Sequence, residues 1–203
     1  MTRTRPEKSD LRQLLTEQIL SSASNLDQMS TIEMVRLIND EDATVATAVG
    51  KALPQIARAV DCVADALRHG GRLIYVGAGT SGRLGALDAS EIPPTFNVSP
   101  RTVQYIMAGG PRALGASTEA SEDDTALAVQ EIKKRKPGKH DVVLGIATSG
   151  RTPFTIAALE YSRSRGSGTI ALTCNRNWPA LERLEAMLSV TGRSALQWSA
   201  RDS

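Results

Sequence analysis

Gly77-Ala78-Gly79-Thr80-Ser81-Gly82-Arg83 and Thr148-Ser149-Gly150-Arg151 are the two stretches whose residue types and spacing could do chemistry. Each follows an apolar run, at residues 73–76 and 142–146, and each precedes a helical pattern. Glycines let backbone approach a ligand, and free N–H groups at a helix N-terminus favour an anion such as phosphate. Two hydroxyl-rich turns at the same ends of two parallel strands would face one crevice, where open α/β sheets bind ligands. The expected ligand is therefore a small phosphorylated molecule, met by Gly79, Thr80 and Ser81 on one turn and by Thr148 and Ser149 on the other.

Two better-known loops fail the residue test. Gly77, Gly79 and Gly82 satisfy G-x-G-x-x-G, but a dinucleotide site also wants an acidic residue ending the next strand, about 20 residues on. That strand, 103–107, ends in Ala108-Gly109-Gly110, which argues against a nicotinamide cofactor. A nucleotide P-loop needs Gly-Lys-Ser/Thr where this chain has Gly82-Arg83-Leu84. Three glycines alone would make only a tight strand-to-helix turn, and the repeated Thr-Ser-Gly-Arg is what raises this one above that reading.

Two carboxylates stand apart by position. A helix over 84–90, stopped by Pro93-Pro94, would leave Glu91 at its C-terminal end, where the macrodipole disfavours negative charge and suits a general acid. Ser121-x-x-Asp124 reads as the restart of a helix capped by Ser121, so Glu122 would sit at a positive end that suits a general base. Groups pushed in opposite directions by their surroundings are how acid and base roles get divided at one pH.

The elements that must position these residues follow from periodicity. Helices are expected over 11–22, over 31–40 behind the capping box Ser30-Thr31-Ile32-Glu33, and over 43–68 with a break or kink near Leu53 imposed by Pro54. Strands are expected at 73–76, 103–107, 141–146 and 169–173. Helical patterns over 112–136, interrupted about 117–121, and over 152–165 alternate with them, and a last helix is expected over 180–188. Residues 1–9 and 192–203 read as frayed or disordered. The alternation predicts an α/β fold, a parallel sheet with helices on both faces.

Composition narrows the function. The 203 residues are 41% hydrophobic and 23% charged with a net charge of +2, which gives no electrostatic footprint for nucleic acid. Aromatics are 3%, too few for a base-stacking platform. Cys62 and Cys174 form no Cys-x-x-Cys, and His69 and His140 are isolated, so no metal site is expected. No apolar run approaches a membrane span, and a cytoplasmic protein is expected.

Residues 73–95, Leu-Ile-Tyr-Val-Gly-Ala-Gly-Thr-Ser-Gly-Arg-Leu-Gly-Ala-Leu-Asp-Ala-Ser-Glu-Ile-Pro-Pro-Thr, resemble the N-acetylmuramic acid 6-phosphate etherases, sugar isomerase (SIS) domain enzymes of cell-wall recycling. Ile38-Asn39-Asp40-Glu41-Asp42, Ala108-Gly109-Gly110, Glu122-Asp123-Asp124 and residues 145–153 are similar in the same order. The resemblance implies a three-layer SIS domain over 43–175, an N-terminal helical arm over 1–42, and a divergent tail over 176–203, where the likeness stops and an altered reading frame or truncation is expected. It implies a lyase that cleaves the D-lactyl ether of a phosphorylated amino sugar without metal or organic cofactor. In it the position of Glu91 protonates the departing lactate and that of Glu122 takes the proton at sugar C2. It further implies phosphate and sugar hydroxyl contacts at Ser81, Ser149 and Thr152, a homodimer with sites near the subunit interface, and no nucleic acid or membrane partner. Which turn takes the phosphate stays open, and a non-catalytic sugar-phosphate-sensing SIS module is the second reading.

Overall fold

The computed structural model describes residues 20–116, 121–175 and 186–189. Five parallel strands, β1 (Leu73–Gly77), β2 (Val103–Met107), β3 (Val142–Ile146), β4 (Gly168–Thr173) and β5 (Ala186–Ser189), form one sheet in the order β2-β1-β3-β4-β5. Consecutive strands in a parallel sheet need crossovers, and helices supply them here. The helices are α1 (Thr31–Gly50), α2 (Leu53–Arg68), α3 (Gly79–Phe96), α4 (Thr125–Arg135) and α5 (Pro153–Ser164).

Alternate strand residues feed two cores, as a sheet covered on both faces requires. Leu73, Val103, Val142 and Ile170 face Ala59 and Val63 of α2 and Ala89 and Ile92 of α3. Ile74, Val76, Ile106 and Val143 face Ala128 and Ile132 of α4 and Phe154, Ala158 and Leu159 of α5. The result is the expected three-layer α/β architecture. At the N-terminal ends of β1 and β3, Arg72 donates to both carboxylate oxygens of Asp141, at 3.0 and 2.7 Å, and Gly138 N–H adds a third bond. This pair staples the two central strands at the end opposite the turns.

The N-terminal helices differ from the expected boundaries. α1 does not stop at Asp40 but runs unbroken to Gly50. Asn39-Asp40-Glu41-Asp42 holds no proline or glycine, and its polar side chains are simply the solvated surface of a helix that buries only Ala48. Ser30 N–H donates to the Glu33 carboxylate at 2.8 Å, and the hydroxyl and amide of Ser30 hold that carboxyl below its usual value. The chain breaks at Lys51-Ala52, and Pro54 sits in the first turn of α2, where a missing N–H costs nothing. Of the helix expected over 11–22, residues 11–19 lie outside the described residues, and Ser21–Ala23 is a 3-10 turn.

Two further corrections bear on the site. α3 is twice the expected length, because Pro93 and Pro94 lie inside it and the helix ends only at Asn97, in the left-handed conformation with φ 52°. Proline's own φ is helical, and so close to the end it deletes bonds in the last turns without breaking the helix. The helix expected over 180–188 is contradicted at 186–189, which pair in parallel with β4 as β5. Ala, Met and Leu are helix formers, but the unpaired outer edge of β4 offers a full ladder of hydrogen bonds and tertiary pairing wins. The sheet edge that a four-strand reading left open is therefore occupied. Residues 1–9 and 192–203 lie outside the described residues.

Candidate functional site at the sheet reversal point

Strand order 2-1-3-4-5 reverses between β1 and β3, and both Thr-Ser-Gly-Arg turns leave those two strands. The strands are neighbours in register, Gly77 opposite Ile146, so the turns start side by side at one end of the sheet. That is the switch point at which ligands of this topology enter.

The first turn is built by close backbone packing. A Cβ on Gly82 would lie 2.8 Å from the Gly77 carbonyl oxygen, so only glycine lets the helix start directly against the strand end. Gly79 adopts φ +54° at the first position of α3, a conformation other residues enter at a cost. Thr80 and Ser81 thus stand inside the first helical turn rather than before it. The N–H groups of Gly79, Thr80 and Ser81 have no acceptor among the described residues, whereas Gly82 N–H already reaches Ala78 at 3.1 Å.

The second turn is held from the adjacent strand. Asn175, 3% exposed just beyond β4, donates its side-chain amide to the carbonyls of Thr148 and Ser149 at 3.4 and 3.2 Å. The Thr173 hydroxyl reaches the same Thr148 oxygen at 3.2 Å, and Cys174 N–H reaches it at 2.9 Å. The Ser149 hydroxyl accepts from Arg151 N–H at 3.2 Å. Asn175 and Thr173 had no sequence reading as site residues. The signal that could have found them is their place, polar and at the C-terminal end of a strand beside the turn.

Glu122 comes to this second turn. Its carboxylate accepts the hydroxyl of buried Thr152 at 2.8 Å, and its carbonyl accepts Phe154 N–H at 3.0 Å. The expected reason is corrected, however: α4 is capped by Asp124, which accepts Leu127 N–H at 2.8 Å, so Glu122 precedes that helix. The helix N-terminus at which Glu122 stands is that of α5, whose cap is Thr152.

Glu91 is not brought to the same place within the chain. It lies well inside α3, not at its C-terminus, ten residues after Ser81 and so about 15 Å along the axis. It is exposed, one and two helical turns beyond Leu87 and Leu84, which are 58% and 57% exposed. A cavity of 310 Å³ lies elsewhere, along the outer edge of β2, where Arg135 donates to the Tyr105 carbonyl. Among the described residues no group of three or more His, Cys, Asp or Glu could hold a metal, and no helix is long and apolar enough to cross a membrane.

A doubly wound parallel sheet with paired glycine- and hydroxyl-bearing turns at its reversal point defines an α/β domain of the switch-point, ligand-binding class. The chain belongs to the family described as the glucokinase regulatory protein N-terminal SIS domain, whose model matches residues 55–163. Solved structures share the fold: a phosphoheptose isomerase from Francisella tularensis superposes with a TM-score of 0.64 at 19% identity, covering 80% of this chain and 86% of that one. The phosphoheptose isomerase from Neisseria gonorrhoeae gives 0.62 at 17% identity, covering 82% and 86%.

Curated relatives named N-acetylmuramic acid 6-phosphate etherase are closer in sequence. That of Symbiobacterium thermophilum is 55% identical over 82% of this chain and 55% of its own length. That of Clostridium beijerinckii is 49% identical over 84% and 56%, and the first of Enterococcus faecalis 44% identical over 96% and 65%. The chain thus spans between about half and two thirds of the length of these relatives. A match over 96% of the chain also runs past Asn175, where the likeness was expected to stop.

Proposed function

We propose that this chain carries the site of a carbon–oxygen lyase that acts on N-acetylmuramic acid 6-phosphate, giving N-acetylglucosamine 6-phosphate and D-lactate. The names of the 44–55% identical relatives support the substrate. The observation that carries the chemistry is the Glu122 carboxylate, set at the reversal-point turn by the Thr152 hydroxyl.

In the ring-opened sugar the aldehyde acidifies the neighbouring C2–H. Glu122 takes that proton, the electron pair forms a double bond to the next carbon, and the ether C–O bond on that carbon breaks. The lactyl oxygen leaves with a proton from Glu91. Water then adds at the same carbon while C2 regains a proton, so the atoms balance with no redox partner. The phosphate is assigned to the first turn, because the Gly79, Thr80 and Ser81 amides lie free at the positive end of α3, whereas Phe154 N–H at α5 is already taken by Glu122. The hydroxyls of Ser81, Thr148 and Ser149 then meet phosphate and sugar oxygens.

Because Glu91 lies about 15 Å from the first turn, its role as acid belongs to a homodimer in which the exposed α3 face of Leu84, Leu87 and Glu91 meets a second subunit. The reaction is placed in the cytoplasm, as a step of amino-sugar recycling. Incubating purified protein with N-acetylmuramic acid 6-phosphate is expected to release D-lactate, and a folded protein that releases none contradicts the proposal. The family model, described for a regulatory protein, favours one other reading: a sugar-phosphate sensor, which would be thermally stabilised by the ligand without releasing lactate.

A further inference from the structure

We infer that Arg83 is a positioning residue for Glu122, its guanidinium holding the β2–α4 connection against the first turn and thereby fixing where that connection delivers its carboxylate at the second. The inference rests on the reading of Glu122 as the base.

Arg83 has a fixed base from which to act. It follows Gly82, whose backbone is pressed onto Gly77, so its Cα is set by the first turn. From there its Nε donates to the Leu114 carbonyl at 3.1 Å and its Nη2 to the Ala116 carbonyl at 3.4 Å. A guanidinium is a rigid planar fork, so two acceptors fix its orientation as well as its position.

The segment it holds has few other restraints near this point. The connection leaves β2 through Gly109 and Gly110, with φ +80° and +66°, and makes the 3-10 turn Gly110–Leu114, which buries Ala113. Among the described residues, Arg83 is the side chain that ties down 114–116. At the far end Glu122 is tied to Phe154 N–H and to Thr152. One connection thus links the two turns, with Arg83 at one end and the α5 N-terminus at the other.

The repeat makes the assignment specific. Arg151 occupies the same place in the second turn, yet its guanidinium has no hydrogen-bond partner among the described residues. The two arginines of one motif therefore do different work, and the sequence repeat alone did not separate them.

The test compares Arg83→Ala, Arg83→Lys and, as a control for lost charge, Arg101→Ala, an exposed position at the other end of β2. Amide hydrogen exchange is measured at Phe154, whose N–H binds the Glu122 carbonyl, and at Val143 in the core. In Arg83→Ala the Phe154 amide is expected to exchange roughly tenfold faster or more while Val143 is unchanged. The kcat for lactate release is expected to fall about 10- to 100-fold with KM within about threefold, as for a misplaced catalytic group. Added guanidinium ion should restore part of the loss, Arg83→Lys should fall between, and Arg101→Ala should match the wild type.

Unchanged Phe154 protection, or unchanged kcat, in Arg83→Ala overturns the inference. If Val143 protection is lost as well, that variant has unfolded and Arg83→Lys decides on the same two readouts. If the wild type releases no lactate, the lyase reading falls and takes the catalytic half of the inference with it. The exchange comparison then still decides whether Arg83 holds the Glu122 segment.

Discussion

Thr152 does two jobs with one hydroxyl-bearing side chain: it caps α5, and its O–H fixes the carboxylate of Glu122. Replacing it with valine keeps the shape and removes the donor. We predict that Thr152→Val lowers lactate release about 10- to 100-fold while the thermal midpoint moves by only a few degrees, checked by steady-state assay and calorimetry. Asn175 acts on backbone instead. Asn175→Ala leaves the Thr148 and Ser149 carbonyls without that donor and is expected to cost about 1–3 kcal/mol in urea denaturation, with weaker stabilisation by sugar phosphate. The sequence showed Glu122 as a candidate but for the wrong helix, because the bond that places it joins residues 30 apart and leaves no mark on local spacing. Asn175 was invisible as a site residue for the same reason.

The elements show where local signals suffice. The first loop, β2 and the break before Leu53 were all legible, since each is set by glycine, proline or a short apolar run within a few residues. Pro93-Pro94 misled because its position near the end of α3 decides its effect, and β5 misled because its partner β4 lies more than ten residues away. Gly82→Ala tests the first turn as an element: its Cβ would meet the Gly77 oxygen at 2.8 Å, so the start of α3 must shift. Loss of thermal stabilisation by sugar phosphate with the fold retained is the expected result in a ligand-dependent melting assay.

The opposite end of β1 and β3 makes a pH prediction. Burial pushes the Asp141 carboxyl up, but the Arg72 guanidinium and the Gly138 and Arg72 amides more than offset it, leaving it below its ordinary value. A carboxyl lowered on folding contributes stability fully present above the unfolded value of about 3.9 and lost as pH falls through the folded one. Urea midpoints should therefore drop between pH 6 and pH 3 by roughly 1 kcal/mol more in the wild type than in Asp141→Asn, which lacks this titration.

At the scale of the whole molecule the apolar surface is unevenly placed. Ile32, Val35, Ile38 and Val45 of α1 are each more than half exposed, as are Leu84 and Leu87 of α3 beside Glu91. Contiguous apolar faces on otherwise polar helices mark surfaces that another chain covers. A dimer through α3 would give Glu91 the neighbour that its own fold does not. Leu87→Asp is accordingly expected to yield monomers in light scattering and to lose lactate release together with dimerisation. A monomeric variant with full turnover would remove Glu91 from the interface role.

The central claim is that Glu122, at the reversal-point turn, removes a proton from a phosphosugar held by the first turn. Glu122→Gln keeps the size of the side chain and an oxygen for the Thr152 hydroxyl but cannot serve as the base. Measured side by side with the wild type on N-acetylmuramic acid 6-phosphate, it should lose lactate release by a factor on the order of a thousand while the ligand still raises its thermal midpoint. Lactate release at the wild-type rate from Glu122→Gln would contradict the claim.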